Sequence, residues 1–173
     1  MKTVERAKRI VTKAGGSVTA VDMVIPLQEP KPPGLEQWDM GIPNGRIDTL
    51  ESAWTWRGRW VEEHYWNGDG ISARKMAHEV GAEATLNFTG SRCFSSGGYS
   101  QEGGRAEVYL DGERARKIDA YIVERTSDND LWHTYELNPG KHTLRIVSRG
   151  DADSLSQGHK LTLESSITFT PRK

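Results

Sequence analysis

Gly104-Arg105-Ala106-Glu107-Val108-Tyr109-Leu110-Asp111-Gly112 alternates apolar with polar side chains and ends in a turn. Ala106, Val108 and Leu110 face one way, and Arg105, Glu107 and Tyr109 the other. Asp-Gly is a hairpin signal, because both residues tolerate the backbone a tight turn needs. Pro139-Gly140-Lys141-His142-Thr143-Leu144-Arg145-Ile146-Val147 repeats the pattern, with Leu144 and Ile146 opposed to Thr143 and Arg145. A strand with one apolar face needs a second layer to bury it. Working outward, strands are expected at Ile71–Met76, Ala82–Thr89, Lys117–Val123, Leu131–Leu137 and Lys160–Thr170. Their inward residues are Ala82, Ala84, Leu86 and Phe88, then Ile118, Ala120 and Ile122, then Leu161, Leu163, Ile167 and Phe169. Ala53–Glu62 carries Trp54, Trp56 and Trp60 on one parity, either a sugar-stacking platform or the core side of a first strand; Arg57 and Arg59 on the opposite face favour the core. The chain is therefore mainly β, an antiparallel sandwich or jelly roll.

The first part of the chain reads differently. Val4, Ala7, Ile10, Val11 and Ala14 make a helical stripe over Thr3–Ala14, one short N-terminal helix stopped by Gly15-Gly16. Ser17–Ile25 is β-branched and strand-like. Five of the seven prolines then fall between Pro26 and Pro43, and proline cannot donate to a ladder. The expected division is 1–43 for helix, strand and connector, and 44–173 for the sandwich.

The net charge of −1 offers no field for nucleic acid or an anionic membrane, so neither is expected as a partner. The single cysteine, Cys93, excludes an internal disulfide and a multi-cysteine zinc site. Met1–Arg6 reads as no secretory signal, and no stretch is long and apolar enough to span a bilayer. The compartment is left open.

Gly81–Gly90, Gly104–Gly112, Leu137–Leu144 and Ser156-Gln157-Gly158 together resemble the galactose-binding-like jelly rolls. The resemblance implies a carbohydrate-binding or accessory module of a bacterial carbohydrate-active enzyme. A second stretch, Gly15-Gly16 through Pro26-Leu27-Gln28-Glu29-Pro30 to Gln37, is similar to the end of the catalytic domain in ADP-ribosylglycohydrolase-like proteins. That likeness implies a catalytic domain upstream, whose metal-binding aspartates lie outside this sequence. This chain would then be the structural or protein-interaction piece at its C-terminal end.

Candidate contacts come from the loops, where a sandwich usually concentrates binding residues. His64–Gly70 places aromatics in a glycine-rich turn. Tyr65 and Trp66 either stack on a sugar, with Asn67 and Asp69 hydrogen-bonding its hydroxyls, or clamp the turn to the sandwich edge. Cys93–Gly104 reads as a glycine-serine loop that offers Tyr99 or is simply mobile. Arg149 is a further ligand candidate. Asp151 and Asp153, at alternate positions, either supply oxygens to a structural calcium or belong to a solvated turn. The five histidines lack metal spacing, and no nucleophile elbow occurs, so no catalytic residue and no other cofactor is expected. The reading is a non-catalytic module that binds carbohydrate weakly and accompanies a larger hydrolase.

Overall fold

The computed structural model describes residues 41–66, 70–134 and 136–171. The helix expected at Thr3–Ala14, the strand at Ser17–Ile25 and most of the proline-rich connector lie outside the described residues. The described residues form β1 (Ile42–Asp48), β2 (Trp54–Arg57), β3 (Trp60–Trp66), β4 (Ile71–Ala77), β5 (Glu83–Gly90) and β6 (Arg92–Gly98). They continue with β7 (Gly104–Leu110), β8 (Glu113–Asp119), β9 (Asn129–His133), β10 (Gly140–Ala152) and β11 (Leu161–Thr170).

One sheet runs β3-β4-β11-β6-β9, with β1 also on β11; the other runs β2-β5-β10-β7-β8. The strand ladders are antiparallel, as the alternation requires. The two sheets close over Leu86, Val108, Leu144, Ile146, Leu161 and Leu163, all with 1% exposure or less. β11 forks the first sheet. β4 pairs with Leu161–Leu163 and β1 with Ser165–Thr170, while β6 pairs along both stretches.

Four expectations need correcting in detail. Ala53–Glu62 is two strands in two different sheets. Gly58, at φ +79°, makes the crossing, and a Cβ there would come within 3.1 Å of the Ala82 backbone. The three tryptophans still meet in the core: Trp54 stacks on Trp56 at 5.2 Å, and Trp56 meets Trp60 edge-on at 4.7 Å. The expected loop after Cys93 is in fact β6, an interior strand between β11 and β9. Its serines and glycines answer crowding, since a Cβ on Gly97 would lie 2.1 Å from the Thr162 carbonyl oxygen and 2.3 Å from Leu131.

The strand expected at Lys117–Val123 sits earlier, as β8, because Asp111-Gly112 closes a tight hairpin with β7. The chain leaves the sheet at Ala120, so Ile122 is exposed. Finally, Ile167 and Phe169 do not continue the inward face of Leu161 and Leu163. The register against β6 slips between Leu163 and Ser165, so Glu164 is an extra residue. The slip turns Ser166 and Thr168 inward instead.

Candidate functional site

Antiparallel partners share a face. In the β3–β4 hairpin, Trp60, Glu62, His64 and Trp66 pair with Ala77, Lys75, Ala73 and Ile71. Val61, Glu63 and Tyr65 pair with Met76, Arg74 and Ser72 on the other face. Tyr65 and Trp66 therefore point to opposite sides and cannot form one platform. Trp66 is 70% exposed, directly across from Ile71 at 75%. The Tyr65 ring lies under the Arg74 guanidinium, 4.7 Å from its centroid, with its hydroxyl buried. Asn67 and Asp69 lie outside the described residues.

The other candidates fall elsewhere. Tyr99 packs against the core and donates its hydroxyl to the Asp130 carbonyl at 2.8 Å. Arg149 is on β10, facing solvent on the second sheet, where its Nε lies 2.9 Å from Asp151 Oδ1. Arg105 faces Asp153 at 3.4 Å and Asp151 at 3.9 Å, and donates to Asp119 at 2.8 Å. Glu107 accepts from Arg114 at 2.7 Å and from the Tyr109 hydroxyl at 2.6 Å. Arginines thus occupy the space beside Asp151 and Asp153. Among the described residues no group of three or more His, Cys, Asp or Glu is arranged to hold a metal. Exposed pairs of this kind each contribute at most about 1 kcal/mol.

A buried polar cluster escaped the sequence reading. Glu164, on the β11 bulge, has no exposed surface, and its Oε2 accepts the Asp128 amide. Arg74, 5% exposed, pairs with Glu63 and lies 3.6 Å from Glu164 Oε1. Burial pushes the Glu164 carboxyl above the usual range, and the Asp128 amide and Arg74 offset this only in part. Asp128 adopts φ +54° and accepts from Arg46 at 3.3 Å and Ser96 at 3.2 Å. Arg125 reaches Glu63 at 3.4 Å. The cluster pins the 121–128 segment across the outer face of the first sheet. The sequence signal was the break in alternation at Glu164-Ser165-Ser166.

Neither Cys93 nor His142 is placed for covalent chemistry. Burial pushes the Cys93 thiol up to about 12, so it is not a nucleophile near neutral pH. His142 Nδ1 faces Asp111 at 2.7 Å and Nε2 faces the Asn138 carbonyl at 2.8 Å, so neither nitrogen is free to act as a base. Burial opposes its charge, but Asp111 and the Asn138 carbonyl outweigh it, and the His142 pKa is raised. A raised histidine stabilises the fold fully below its unfolded value of about 6.5, and loses that contribution as pH rises through the folded value. An NMR titration of His142 is expected to give a midpoint above the ordinary value, lowered by Asp111→Asn. A midpoint at or below the ordinary value contradicts the pairing.

No family model matches the chain. It is 34% identical over 103 residues to the A type blood alpha-D-galactosamine galactosaminidase of Flavonifractor plautii, covering 59% of this chain and 9% of that protein. It is 26% identical over 140 residues to the A type blood N-acetyl-alpha-D-galactosamine deacetylase of the same organism, covering 80% and 17%. The chain thus spans under a fifth of either curated relative. Among solved structures, a two-domain esterase active on acetylated mannans superposes with a TM-score of 0.56 at 15% identity, covering 96% of this chain and 45% of that one. A Bacillus subtilis family 43 arabinoxylan arabinofuranohydrolase gives 0.50 at 20% identity, covering 76% and 28%. The chain has the fold of these structures, an antiparallel β-sandwich of jelly-roll type. This jelly roll is similar to domains of carbohydrate-active enzymes. The likeness of the Gly15–Gln37 stretch to ADP-ribosylglycohydrolases is not shown, and that stretch lies outside the described residues.

Proposed function

We propose that this jelly roll is a non-catalytic carbohydrate-binding module that accompanies a larger carbohydrate-active enzyme. One observation carries the reading. The same chain is similar to a small part of two proteins whose names give different reactions, a galactosaminidase and a deacetylase. A segment common to two chemistries is expected to serve what they share, which in their names is a galactosamine-type sugar. Of the described candidate contacts, Tyr65, Tyr99 and Arg149 are engaged within the fold, which leaves Trp66.

The test is calorimetry of the whole chain with glycans ending in galactosamine or N-acetylgalactosamine, alongside turnover assays on the same sugars. Saturable heat at micromolar to millimolar sugar without turnover is expected. Either no heat at millimolar sugar, or product formation, overturns the proposal.

A further inference from the structure

We propose that the ledge formed by Trp66, Ile71 and His64 is the docking site for a neutral N-acetylated amino sugar at the end of a glycan. This rests on the reading of the chain as a carbohydrate-binding module. From the second layer, the four-residue β2 reaches this face through Trp56, which meets Trp60 edge-on and lies under Lys75. The hairpin face that is core at Ala77, with 0% exposure, runs outward until Trp66 and Ile71 stand in solvent.

The chemistry of the face selects the occupant. The exposed indole takes the CH face of a pyranose ring. Ile71, directly across, offers an apolar wall for an acetamido methyl. His64, two residues back on the same face, lies about 6.6–6.8 Å along the strand. Its side chain is 58% exposed and within reach of a hydroxyl or amide at the ring's edge. Charge argues for a neutral ligand. Glu62 is closed onto Lys75 at 2.7 Å and faces His64 at 3.4 Å, so the described charges of this face cancel. Among the described residues of this face, Lys75 and Glu62 are paired with each other, which offers neither a uronate nor a free ammonium a partner of its own.

The experiment titrates N-acetylgalactosamine, galactosamine and glucuronate into the whole chain, read by calorimetry and tryptophan fluorescence, for the wild type, Trp66→Ala and Ile71→Ser. Both substituted side chains are exposed, and unchanged melting verifies the fold. N-acetylgalactosamine is expected to bind most tightly. Trp66→Ala is expected to weaken it at least about tenfold, and Ile71→Ser to narrow the preference for the acetylated sugar. If the wild type binds and Trp66→Ala binds equally well, the ledge is not the site, while the carbohydrate reading stands. If no saccharide binds, both fall. A concentration-dependent dimer that Trp66→Ala abolishes, with no effect on sugar binding, makes the ledge a self-association surface and overturns the assignment.

Discussion

Gly97→Ala is expected to lower the melting temperature by about 6–12 °C, equivalent to roughly 3 kcal/mol for a chain of this size. β6 is an interior strand, held between β11 and β9. A methyl group at Gly97 would sit 2.1 Å from the Thr162 carbonyl oxygen and 2.3 Å from Leu131 Cδ1. The first contact is backbone of a paired strand, and the second belongs to a core side chain with 5% exposure. Neither can retreat without opening the sheet or the core. Gly140→Ala is the control, since its nearest neighbour is 3.9 Å away. It is expected to change stability by less than about 1 kcal/mol. Thermal melts of both variants check this. Equal melting temperatures for the two would mean that the glycines of β6 confer flexibility, as a loop would need, and do not relieve crowding.

Arg74→Met is expected to cost about 3–5 kcal/mol at neutral pH, because it leaves Glu164 buried without its cation. The pH dependence follows from the direction of the Glu164 shift. Its pKa is raised in the folded state by burial. A raised carboxyl favours the folded state below its unfolded value of about 4.3, and that contribution is lost as pH rises through the folded value. Removing Arg74 raises the carboxyl further. The penalty of Arg74→Met relative to wild type should therefore shrink as pH falls toward 4. Glu164→Gln, which keeps the acceptor for the Asp128 amide without the charge, is expected to be nearly neutral or stabilising at pH 7. Denaturant unfolding of the three proteins at pH 4.5 and 7.5 measures both effects. A penalty for Arg74→Met that does not vary with pH would show that Glu164 does not carry the buried charge.

The layer architecture was legible because alternation is a local property. Ala84, Leu86, Ala106, Val108, Leu144 and Ile146 are all fully buried, on the parity their strands announced. What was not legible depends on contacts between distant segments. Ser95, Ser96, Gly97 and Gly98 look like a flexible loop, yet their size is set by Leu131 and Thr162, far along the chain. Trp54, Trp56 and Trp60 keep one parity across a crossover that only the φ of Gly58 marks. The site was partly legible. Trp66 stood out as an aromatic in a polar turn, but period-two geometry separates it from Tyr65, and this became visible only once the strand was known to run through His64 to Trp66. Asp151 and Asp153 read either as calcium ligands or as a solvated turn, and Arg105, on another strand, could not be seen beside them.

The proposed role of this jelly roll is to hold a sugar at an exposed tryptophan and to do no chemistry on it. An NMR titration with N-acetylgalactosamine, following the indole N–H signals and the sugar together, tests it most directly. The Trp66 signal is expected to move and saturate, the buried Trp54 and Trp132 signals to stay still, and the sugar to be recovered unchanged. Immobile indole signals at millimolar sugar, or the appearance of a cleaved or deacetylated product, would contradict it.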